Sequence, residues 1–138
     1  MKLCAISIVL LLTSALALAE TPKSPDNAPV LGVWRGEMDD LPAITLTVTD
    51  EGGNLAGAIL FYLIEGNPPK SSPGIPEPLL NPTFDGKVLT FEVSHRRAHP
   101  GTESDPRVKF RLKLTGADKS VLIHADEADS GIEMIREK

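Results

Sequence analysis

The residues best equipped for chemistry in this 138-residue chain are gathered in Ser94-His95-Arg96-Arg97-Ala98-His99, where two of the three histidines lie four positions apart beside two arginines. Zinc takes about three or four nitrogen, sulfur or oxygen ligands in defined geometry, so a site here would have to recruit carboxylates such as Glu103 and Asp105. On a helix, a spacing of four would bring both imidazoles to one face. At the end of a strand it brings nothing together, so the segment reads as a solvated loop and no metal is assigned. His95 continues the face of Leu89, Phe91 and Val93 and is expected to point inward, with Arg96 and His99 beyond it as polar candidates for contact with a ligand.

The remaining polar groups argue against catalysis. Ser94, Ser104, Ser120 and Ser130 stand in no Gly-x-Ser-x-Gly setting, and no glycine loop of the phosphate-cradling kind occurs. Asp39 and Asp40 precede Pro42 and read as a turn, and His124, between Leu122 and Asp126, reads as a surface histidine. With no set of nucleophile, base and oxyanion donor, the chain is read as a non-enzyme that carries no cofactor.

Charge is segregated along the sequence. Between Asp85 and Lys119 there are eight basic and five acidic side chains, in a chain whose formal charge is −5. Arg107, Lys109, Arg111 and Lys113 alternate and should line one outer strand face. This is either an ordinary solvated face that blunts edge pairing or a stripe for an anionic or protein partner. The acidic total argues against general nucleic-acid binding.

The elements that must hold these groups are strands. Ile44, Leu46 and Val48 alternate with Thr45, Thr47 and Thr49; Leu89, Phe91 and Val93 with Thr90, Glu92 and Ser94; Val108, Phe110, Leu112 and Leu114 with Lys109, Arg111 and Lys113. Each pattern buries one face and wets the other. Turn residues fall between them at Asp50-Glu51-Gly52-Gly53-Asn54, Asp85-Gly86 and Thr115-Gly116-Ala117-Asp118. The spacing predicts strands over 31–38, 43–49, 55–64, 79–84, 87–95, 107–114, 120–125 and 131–136. The fold class expected is all-β: an antiparallel meander of about seven to eight strands, curled into a closed or nearly closed barrel to protect its edges. The strand at 55–64 is apolar on both faces, and the proline-rich loop 65–82 is expected to cover it, as a seal or as a lid.

Residues 1–19 read as a secretory signal: Lys2, an apolar run from Ala5 to Leu18, and small residues at Ala17 and Ala19 before Glu20. The run is shorter than the roughly 20 apolar residues of a membrane-spanning helix. Cleavage would remove Cys4, the sole cysteine, and leave residues 20–29 as a flexible leader and 30–138 as one domain held by packing alone. The product is expected to be exported, to the periplasm or the medium, and to be an unanchored monomer.

Two patches carry a resemblance. Gly32-Val33-Trp34 opens the first strand, and Arg136 follows Ile132 and Met134 on the last. This combination resembles the calycins, the lipocalins and more loosely the avidins. In them a Gly-x-Trp on strand one meets an arginine from the end of the chain, and indole and guanidinium stack to shut one end of the barrel. The chain also looks like small exported bacterial proteins beginning Gly-x-Trp-x-Gly, here Gly32-Val33-Trp34-Arg35-Gly36. The resemblance implies that Gly32, Trp34 and Arg136 are structural. Unlike a lipocalin, the chain would keep no cysteine and has six aromatic side chains in all. Of these, Phe61, Tyr62 and Phe91 are the candidates to line a pocket. The function expected is binding of a small apolar ligand or an envelope partner, with Trp34 fluorescence as its reporter. The alternatives are a protease-inhibitor-like module acting through the leader, and a purely structural envelope domain.

Overall fold

Every alternating run in the sequence becomes a strand. The computed structural model describes residues 26–94, 106–127 and 130–138; the signal segment, most of the leader, and His95, Arg96 and His99 lie outside the described residues. Ten strands follow a 3-10 turn at Ala28–Val30: β1 Gly32–Met38, β2 Leu41–Glu51, β3 Asn54–Glu65, β4 Lys70–Pro73, β5 Glu77–Pro78, β6 Leu80–Phe84, β7 Val88–Ser94, β8 Arg107–Leu114, β9 Lys119–His124 and β10 Gly131–Arg136. No α-helix occurs among the described residues.

Pairing is antiparallel throughout, in the order β4-β3-β2-β1-β10-β9-β8-β7-β6, and β5 pairs with β3. The first and last long strands thus lie side by side, with Trp34 opposite Arg136. The sheet curls into an open half-barrel rather than the closed or nearly closed barrel expected from the meander. The reason lies in the proline-rich segment. A proline cannot donate to a ladder, so the chain returning from β3 to β7 offers only short stretches of pairing. Tyr62 to Glu65 pair with Pro73 to Lys70, Ala58 and Ile59 pair with Pro78 and Glu77, and the Leu79 N–H donates to the Gly57 carbonyl at 3.0 Å. From there β6 joins β7. The segment expected as a loop over 65–82 therefore continues the sheet at the β3 edge instead of covering its outer face.

The concave face is packed along most of its length. Trp34, Leu46, Ile59, Leu89, Phe91, Leu112 and Met134 are fully buried and come from six different strands. Burying side chains of this size contributes about 1.5–3 kcal/mol each before entropy is counted. One end of the curl is shut by Trp34. Its Nε1 donates to the Val30 carbonyl at 2.9 Å, and the Arg136 guanidinium lies over the ring, 4.6 Å from its centroid. Arg136 also donates to the Pro29 carbonyl and approaches the Asp118 carboxylate at 3.7 Å. Gly32 begins the strand at φ 120°, a conformation that favours glycine, and turns the chain from the 3-10 plug into β1.

Asp85 organises the β6–β7 hairpin. Its carboxylate accepts the backbone N–H groups of Val88 and Lys87, both at 2.8 Å, and these bonds hold its carboxyl below the usual carboxylate range. A lowered folded-state value means that the stabilisation is complete above the unfolded value of about 3.9 and is lost as pH falls through the folded value. Asp85→Ala is accordingly expected to shift the urea midpoint downward at pH 7, with a smaller deficit once the pH is taken below the ordinary carboxylate range. An equal deficit at both pH values would contradict the assignment.

Candidate functional site

Among the described residues, the end of the half-barrel opposite Trp34 is open, and its walls are apolar. Two cavities lie there. The larger, about 640 Å³, is lined by Phe61 of β3, Ile75 and Glu77 of the returning segment, Val93 of β7, Val108 and Phe110 of β8, and His124 of β9, with Gly74 and Ser94. The smaller, about 340 Å³, is lined by Met38, Ala43, Ile44, Tyr62, Ile64, Leu122, Gly131 and Ile132, with Glu127 and Ser130. Phe61, Phe110 and His124 border both.

These three residues form the partition. The Phe61 ring on β3 meets the Phe110 ring on β8 at 5.8 Å, across the concavity. Phe110 stacks on Phe91 at 5.8 Å and receives His124 edge-to-face at 5.4 Å. Register fixes the group: Phe110 lies directly between Phe91 of β7 and His124 of β9, and Phe61 stands opposite Ile44 of β2. Such aromatic pairs stabilise by about 0.5–1.5 kcal/mol beyond the area they bury. The Gly74 N–H donates to the Phe61 carbonyl at 2.9 Å and so sets Ile75 at the rim. Ile75, Leu63 and Met38 are about half exposed or more, at 64%, 55% and 49%.

The sequence candidates divide. Phe61 borders both cavities and Tyr62 borders the smaller one, its hydroxyl 3.4 Å from the Thr45 hydroxyl. Phe91 is fully buried one layer beneath, where it supports Phe110 and lines neither cavity. His124, read as a surface residue, instead points inward. Neither ring nitrogen has a hydrogen-bond partner among the described residues, and Nδ1 is sealed from solvent. The signal for it was present: the position two residues after buried Leu122 on one strand shares its face.

Arg107, Lys109, Arg111 and Lys113 are all exposed on the outer face of β8, away from the cavities. Arg107 reaches Glu92 at 3.5 Å. Blunting of an edge does not explain them, because β8 is flanked by β7 and β9. Among the described residues no three histidine, cysteine or acidic side chains are grouped to hold a metal ion, and no helix is long and apolar enough to cross a membrane. Compared with known proteins, the chain matches no family model, no curated protein and no solved structure.

Proposed function

We propose that this chain is an exported, calycin-like binding protein that takes a small, largely apolar molecule into the open end of its half-barrel and carries out no reaction on it. The observation that carries this reading is the cavity of about 640 Å³ walled by Phe61, Ile75, Val93, Val108 and Phe110. Its volume lies within the roughly 300–1,000 Å³ of small-molecule sites, and the few polar groups among apolar walls are the usual composition of such a site. The Trp34–Arg136 stack supports the calycin likeness, since it is the contact that the likeness implies. The sequence of residues 1–19 supports export.

The uncharged fluorophore N-phenyl-1-naphthylamine tests the reading. The protein is expected to enhance its emission saturably, with one molecule bound per chain. Ile75→Glu puts a carboxylate into the apolar wall at a largely exposed position, so folding should survive. Desolvating that charge should weaken binding about tenfold while the melting temperature stays within a few degrees. No saturable signal, or unchanged affinity in the variant, would remove the proposal.

A further inference from the structure

His124 is the one polar side chain common to both cavities whose ring nitrogens make no hydrogen bond among the described residues. A neutral imidazole carries its proton on one nitrogen and a lone pair on the other. Nδ1 is sealed from solvent and has no acceptor among the described residues. A proton there would be a buried, unpaired donor, which costs more than leaving the proton on the nitrogen that can still meet a partner. The enclosed side of the ring thus selects the tautomer, and Nε2–H is the donor left for an occupant. The edge-to-face contact with Phe110 at 5.4 Å and the β8–β9 register hold the ring against the cavity wall.

We infer that His124 is the polar anchor of the site, and that the ligand is an apolar molecule bearing a neutral hydrogen-bond acceptor, such as a ketone, ester or ether oxygen, which accepts from Nε2–H. Among the described residues no lysine or arginine lines the larger cavity, and Glu77 does, so this described lining offers a carboxylate head no positive charge. This inference rests on the proposed apolar site at the open end and adds its specificity. A polar donor held in an apolar wall disfavours an analogue that leaves it unpaired.

Three naphthalenes of nearly equal shape separate the possibilities: 2-acetonaphthone, with a neutral acceptor; 2-ethylnaphthalene, with none; and 2-naphthoate, with a charge. Displacement of N-phenyl-1-naphthylamine is expected to rank 2-acetonaphthone about fivefold above 2-ethylnaphthalene, the gain of one hydrogen bond, with 2-naphthoate weakest. His124→Phe keeps the aromatic contact with Phe110 and should erase the preference while leaving 2-ethylnaphthalene bound. Equal affinities in the wild type, a preference that persists in His124→Phe, or 2-naphthoate binding best would overturn the assignment to His124 yet leave the apolar site standing. Binding of none of the three would overturn the site itself. Should His124→Phe not fold, long-range nitrogen NMR on the wild-type protein decides: the Nε2–H tautomer, with its resonance moved by 2-acetonaphthone, supports the anchor, and the Nδ1–H tautomer overturns it.

Discussion

Replacing Trp34 with alanine is expected to destabilise the protein by about 3–5 kcal/mol, the range for removing a large aromatic side chain from a core. The ring is completely buried at the closed end, and two separate interactions converge on it. The indole N–H satisfies the Val30 carbonyl at 2.9 Å, which would be left without that donor. The Arg136 guanidinium would lose the ring surface over which it stands at 4.6 Å. With that hydrogen bond, the 3-10 turn at Ala28–Val30 would lose its side-chain tie to β1. Trp34→Phe retains most of the apolar volume but not the donor, so a smaller loss of about 1–3 kcal/mol is expected. Urea denaturation measures both; a Trp34→Ala loss under 1 kcal/mol would contradict the role of this residue as the plug. Trp34→Phe should bind the naphthylamine probe within twofold of wild type, because the cavities lie at the other end.

Gly57→Ala is the second large effect. A Cβ built at this position would stand 2.0 Å from the Thr47 carbonyl oxygen, 3.0 Å from its carbon and 3.2 Å from the Leu79 Cδ1. Two of these atoms are backbone and cannot swing aside. Gly57 pairs with Val48 in the β2–β3 ladder, and its carbonyl holds the Leu79 N–H where the chain crosses toward β6. One methyl group would therefore push apart the ladder and the seam together. The expected cost is about 3 kcal/mol, the upper end of the range for overpacking, seen as a drop in melting temperature of roughly 10 °C or more. A melting temperature within a few degrees of wild type would show that this approach is looser than the backbone geometry requires.

The strands were legible because alternation is a property of neighbours in sequence, and packing needs one wet and one dry face. The hairpin at Asp85-Gly86 was legible for the same reason, since its hydrogen bonds join residues two and three positions apart. Closure of the barrel was not legible. It depends on whether the far edges of β3 and β7 meet, and the prolines that exclude an interior strand still leave Lys70–Pro73 and Glu77–Pro78 free to pair by backbone alone. Lys-Ser-Ser-Pro carries no apolar alternation to announce β4. The site was half legible. Phe61 and Tyr62 stood out as aromatics on a strand apolar on both faces, but the contact of Phe61 with Phe110 joins β3 to β8 across the curl, which no local pattern encodes. His124 was misplaced because its polarity outweighed the strand phase set by Leu122. The proposed reporter changes with the geometry: Trp34 is sealed at the closed end, so its emission should respond little to an occupant of the open end.

The central claim is that the open end, and not the Trp34 end, holds an apolar small molecule. Intermolecular nuclear Overhauser effects between 2-acetonaphthone and the protein test it most directly. The expected result is contact from the naphthalene ring to the methyl groups of Val93, Val108 and Ile75 and to the ring of Phe110, with the Trp34 indole and the Met134 methyl unperturbed. Contacts centred on Trp34 and Met134, or no saturable contact with any of these residues, would contradict it.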